Sequence, residues 1–141
     1  MDFGNTPLFI EAANSDSLQR AVLLAKSLST KIYFLDSAQR KRLHLAAVFA
    51  NNFSNHCFAI AYDLLKQADI DPSCLQPIIQ HTVDKLAYMS PTEAQTGPAV
   101  RWDTNVLDVH QNALDGNPDL QTLYKLMSKS IHAFHDKLRS E

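Results

Sequence analysis

Glycine is nearly missing from this chain: 141 residues contain only Gly4, Gly97 and Gly116. A chain so poor in the residue that takes positive φ without cost can build few tight turns, which argues against an all-β fold. Cysteine is equally scarce. Cys57 and Cys74 are too few for a disulfide framework and too far apart for a CxxC zinc site, so both are expected to be free thiols, Cys57 as a small core residue. No apolar run reaches the roughly 18 residues that span a bilayer, and MDFGNTPLF has neither a charged n-region nor an apolar h-region. The expected location is therefore cytoplasmic, with no membrane partner. Charge of one sign is also lacking. With a formal charge of -2 and 20% charged residues there is no basic field to hold a phosphate backbone, which argues against a nucleic-acid partner.

What is present is helical periodicity behind a short β-type start. At this length the chain can bury one core, as one domain plus a small appendage. Leu8-Phe9-Ile10 after Pro7, and Lys31 to Leu35, are short β-branched or aromatic runs and are expected to form strands. Between them Leu18, Ala21, Val22, Leu24, Ala25 and Leu28 recur at helical spacing, with Ser15 or Asp16 as the expected cap. This predicts one βαβ unit over residues 1–36. From Ser37, the expected cap, a long helix runs to about Gln67, and Asp71-Pro72 opens a second that ends near Met89. Ser90-Pro91-Thr92-Glu93 has the form of a capping box, opening a very short helix that Gly97-Pro98 stops. Asp103 caps a segment through about Leu114. Asn117-Pro118 starts the last helix, with Leu120, Leu123, Tyr124, Leu126, Met127, Ile131 and Phe134 on its apolar face. Residues 37–141 are thus expected to be all-helical. Two parallel strands and one helix are not a stable sheet on their own, so either another chain pairs with the open edge or the unit belongs to a larger α/β domain.

The long helix poses the functional question. In HLAAVFANNFSNHCFAIAYDLL a wheel of 100° per residue places His44, Asn51 and Asn55 on one narrow face, flanked by Asn52 and His56, while Phe49, Phe53, Cys57, Ile60 and Leu64 fill most of the rest. The stripe has two explanations. It is a polar seam between packed helices, with the amides satisfied internally, or it lines a cleft, where an amide orients a carbonyl and a histidine exchanges a proton near neutral pH. A metal site has less behind it, because His44 and His56 are three turns apart and His132 and His135 have no expected carboxylate partner. The second candidate segment is AQTGPAVRWD, residues 94–103. There Gly97 permits close approach of a ligand, and Arg101 offers a fork for a carboxylate or phosphate unless Asp103 or Glu93 takes it. Trp102 is either a core plug or an interface anchor.

DSAQRKRLHLAAVFANNFSNH, followed by SPTEAQTGPAVRWD, resembles the C-terminal part of a family of predicted NAD(P)-dependent oxidoreductases of uncharacterised substrate. Those proteins join a Rossmann-like domain to a helical domain, long a domain of unknown function, similar to the C-terminal domain of 6-phosphogluconate dehydrogenase. The resemblance implies a mainly α fold in which the helical domain follows a βαβ remnant of a Rossmann-like domain. It also implies that the long helix is the spine of a helical domain that builds a homodimer interface and closes one side of the cleft over the cofactor's nicotinamide, where a small-molecule substrate reacts. His44 and Asn51 are then the candidate catalytic residues, and Arg40, Asn52, Asn55, Gln95, Thr96, Gly97 and Arg101 the candidate substrate-binding residues, with Pro98 beside them. NADP or NAD is implied for the full-length protein. This chain has no G-x-G-x-x-G turn for a pyrophosphate. It is therefore expected to be a fragment or truncated product, inactive alone and without cofactor or metal. A non-catalytic helical association module is the competing reading.

Overall fold

The computed structural model describes residues 3–139. Two strands come first, β1 (Leu8–Ile10) and β2 (Ile32–Phe34), joined by helix α1 (Ser15–Leu28). The strands are parallel, with Leu8 opposite Ile32, Phe9 opposite Tyr33 and Ile10 opposite Phe34. Alternation along a strand puts Leu8 and Ile10 on one face and Phe9 on the other. Ile10 and the α1 residue Ala25 are buried, and Phe9 stacks on Tyr33 with ring centroids 5.5 Å apart. The predicted βαβ unit is therefore present. Its cap is Asn14, whose side chain accepts from Ser17 N at 2.9 Å, in place of the expected Ser15 or Asp16. Buried Ser29 locks the unit: its hydroxyl donates to Thr6 O at 2.6 Å and accepts from Lys31 N at 3.0 Å, tying the segments that lead into the two strands.

The long helix begins as α2 (Ser37–Ala47), widens to a π-turn over Val48–Phe53, and continues as α3 (Ser54–Gln67). Asp36 is its cap, in a capping box with Gln39. Ser37 is instead the first helical residue. In the π-turn Ser54 Oγ donates to Phe49 O at 3.2 Å. Because i→i+5 bonding advances each residue by less than an α-helix does, the wheel drawn at 100° per residue does not carry through Asn51 to Asn55. The expected apolar spine is present as residues but is not covered. No residue of α2, the π-turn or α3 is buried, and Leu45, Phe49 and Phe53 are 58%, 61% and 50% exposed. Cys57 is half-buried and Cys74 exposed.

The chain divides into two compact units after Pro72. Around that point a 3-10 turn, Pro72–Leu75, replaces the expected first helical turn, and α4 (Gln76–Lys85) follows. The second unit then holds two single-turn helices, α5 (Pro91–Ala94) and α6 (Pro98–Arg101), then α7 (Thr104–Ala113) and α8 (Pro118–Arg139). The Ser90 capping box, the Asp103 cap and the Asn117 cap stand as the sequence predicts. Gly97 starts α6 rather than stopping α5, which ends at Ala94 with Gln95 as its C-cap. Ala99 and Leu107 are buried against α8, where Ser128 is buried too. Gln111 and Gln121 clamp α7 to α8 reciprocally, each side-chain amide donating to the other's backbone carbonyl at 2.9 Å. On α8 the expected apolar face is only partly used, since Leu126, Met127 and Phe134 are exposed.

Candidate functional site

In the first unit the candidates gather where β1 gives way to α2. Glu11 directly follows β1, at the carboxyl end of the strand, where open α/β sheets place their ligand crevices. One of its oxygens accepts from Ser37 Oγ at 2.6 Å and the other from Arg40 Nη1 at 3.0 Å. Arg40 is thereby oriented, with only part of its donor fork spent. An open cleft of about 820 Å³ lies alongside, lined by Pro7 and Phe9 on one side and by Ser37, Arg40, Lys41, Leu43, His44 and Ala47 of α2 on the other. The cleft thus brings together two sequence candidates, Arg40 and His44. Asn51, Asn52 and Asn55 lie further along, in or just after the π-turn. All three are exposed, and Asn51 donates to Asn52 at 3.3 Å. Within this chain neither they nor His44 are sealed in a helix seam.

The second unit presents its own groups. Gln95 lines a cleft of about 250 Å³ with Pro91, Thr92, Ile131, Phe134 and His135, and its amide donates to Thr96 O at 3.0 Å. Gly97 has φ 112°, a conformation that favours glycine, and leads Pro98 into α6. Arg101 forms no ion pair among the described residues; Asp103 is occupied in capping α7 and Glu93 in capping α5. Hydrogen bonds from the Ser90 hydroxyl and then the Ser90 amide hold the Glu93 carboxyl below its ordinary pKa. Trp102 sits in the left-handed region at φ 52° and lays its ring on His132, with centroids 4.7 Å apart. His132 Nε2 is paired to Asp136 at 3.1 Å, the carboxylate partner that the sequence reading did not anticipate. His110 and Tyr124 share a 2.8 Å hydrogen bond. Among the described residues no group of three His, Cys, Asp or Glu side chains could hold a metal ion, and no helix is long and apolar enough to cross a membrane.

Sequence reasoning missed Glu11, Lys41 and Phe9. Lys41 was visible in the Arg40-Lys41-Arg42 run, and Glu11 could have been found as the first residue beyond a parallel strand.

These elements define a mainly α-helical protein led by a small parallel βαβ unit. Residues 6–131 match the family described as domain of unknown function DUF2520, and the chain belongs to that family. Its structure is similar to that of a Bacteroides fragilis protein named "putative NADP oxidoreductase", with TM-score 0.90 and 44% identity, covering 94% of this chain and 51% of that one. It is also similar to a Thermotoga maritima protein whose name states no activity, with TM-score 0.73 and 23% identity, covering 89% and 52%. At that identity the second likeness is one of fold. The chain spans about half the length of both proteins. No curated protein matches it.

The βα connection of this chain does not fit a dinucleotide pyrophosphate. Glu11-Ala12-Ala13-Asn14 contains no glycine to admit phosphate close to the backbone, and the Asn14 side chain already takes an α1 amide that would face it.

Proposed function

We propose that this chain supplies the dimerising, substrate-side part of an NAD(P)-dependent oxidoreductase, its helical part built like the C-terminal domain of 6-phosphogluconate dehydrogenase. The observation that carries this reading is the 44% identity and TM-score of 0.90 shared with half of the Bacteroides fragilis protein, whose name specifies NADP. In this role His44 exchanges a proton with a small-molecule substrate and Asn51 orients the reacting group. Arg40, Asn52 and Asn55, and in the second unit Gln95, Thr96, Gly97 and Arg101, contact the substrate. The pyrophosphate is held elsewhere, since no glycine turn here can take it.

Exposed apolar residues of the long helix support the dimerising role. The uncovered face of the long helix, with Phe49 and Phe53 edge to face at 5.0 Å, is the surface we assign to a second copy. A purely non-catalytic association module accounts for that face too, but not for the cleft beside Arg40 and His44.

The test is an NADPH fluorescence titration of this chain alone and of its mixture with the portion of the Bacteroides fragilis protein that it does not cover. NADPH is expected to bind only the mixture. Tight binding by this chain alone, or failure of the two to form a complex, overturns the reading.

A further inference from the structure

We propose that the cleft beside α2 takes the carboxylate end of the substrate, with Lys41 as its counter-ion. This rests on the oxidoreductase reading and deepens it by naming a substrate class. The charge balance of the cleft is the starting point. Arg40 and Lys41 both line it, and the nearby carboxylate, Glu11, is already engaged by Arg40 and Ser37. Lys41 has no hydrogen bond or ion pair among the described residues. One uncompensated positive charge therefore stands in the cleft of a chain whose formal net charge is -2. Arg40 adds donors that Glu11 has already oriented, so little further side-chain entropy is lost when they meet an acceptor.

The same surroundings disfavour a phosphate. A dianion needs more positive charge or a nest of free backbone amides, and the first turn of α2 is closed by the Asp36 carboxylate, which accepts from Gln39 N at 2.8 Å. A monoanion matches the single free lysine. Besides Ser37, which is bonded to Glu11, and His44, the rest of the lining is apolar, with Pro7 and Phe9, the latter stacked on Tyr33, and with Leu43 and Ala47 opposite, so the carbon body of an organic acid has surface to rest on. His44 lies one helical turn beyond Arg40, placed to exchange a proton with a group near the carboxylate.

The experiment uses the 141-residue chain and follows backbone amide shifts by NMR during titration with benzoate, benzamide and inorganic phosphate. Benzoate is expected to shift the amides of Phe9 and of Ser37 to Ala47 saturably, with benzamide and phosphate much weaker. Lys41→Ala should weaken benzoate at least about fivefold, the size of one charge-assisted contact at an open site. Lys41→Arg should keep most of the affinity, and Lys66→Ala, at the end of α3, should change nothing. Benzamide binding as well as benzoate, phosphate binding more tightly, or no saturable shift in the cleft each overturn the proposal. None of these results bears on whether the mixture described above binds NADPH, so failure here and failure of the oxidoreductase reading are separable.

Discussion

Glu11, the residue after β1, holds Arg40 of α2 at 3.0 Å, across 29 positions of sequence. The pair links the strand end to the helix that carries the candidate histidine. Both side chains retain solvent contact, at 30% and 54% exposure, so Glu11→Gln should cost little stability, about 0.5 kcal/mol in a thermal or urea melt. Its larger effect should fall on order, with faster amide exchange in the first turn of α2. An unchanged exchange profile would show that the pair does not position the helix.

Asp36 carries more of the helix start than the ion pair does. Asp36→Ala removes an N-cap acceptor and leaves an amide of the first turn without it, at about 1 kcal/mol. Ser37→Ala leaves that cap in place and should cost less. A urea-melt comparison in which Ser37→Ala is the more damaging change would refute the cap assignment.

At Ser29 a single hydroxyl serves two strand approaches. Ser29→Ala would leave Thr6 O and Lys31 N without this partner in a buried setting, at about 1 to 3 kcal/mol. Ser27→Ala removes only an exposed hydroxyl bonded within α1 and should be near neutral in the same chemical denaturation series.

The Ser90 capping box is pH-sensitive with a defined sign. Since the folded pKa of Glu93 is lowered, the carboxylate's contribution is complete above the ordinary carboxylate value and is lost as pH falls through the depressed one. A carbon-detected NMR titration of Glu93 should therefore show a midpoint below that of a free glutamate, and Ser90→Ala should move it upward. A midpoint that does not move would exclude the Ser90 hydroxyl as its main cause.

For the long helix the expected outcome concerns assembly. Phe49→Asp should convert a dimer into a monomer in sedimentation velocity, because it places a charge in the face assigned to the second copy. Phe3→Asp, an exposed apolar site outside that face, is the control. Equal dimer populations in both variants would remove the long helix from the interface.

Much of this fold was legible from the sequence, and where it was not the reasons are local. The βαβ start could be read because β-branched runs and helical spacing alternate within 36 residues, and Ser90, Asp103 and Asn117 stood out as caps beside unambiguous breaks. Asn14 and Asp36 were misassigned by one or two positions because Asn, Ser and Asp sit side by side there and all can accept from a first-turn amide. The π-turn could not be read, since it depends on bonding five residues back, which no apolar spacing records. The residues around His44 were visible as a stripe. The partner that orients Arg40 was not, because contact across 29 residues follows from tertiary packing rather than from pattern.

The π-turn makes the register of this helix discrete. Deleting one residue between Val48 and Phe53 would allow the segment to relax to continuous α-helix with the faces before and after it keeping their headings, because the π-turn is the room that one extra residue takes. Straightening the segment with every residue kept would instead turn Phe58 and Leu64 by roughly 100° relative to Leu45, so a helix of the same composition would present a different surface to its neighbours. Any comparison of this segment with a relative that has a straight helix must therefore admit a one-residue gap here, or Asn55 and His56 will be matched to the wrong side.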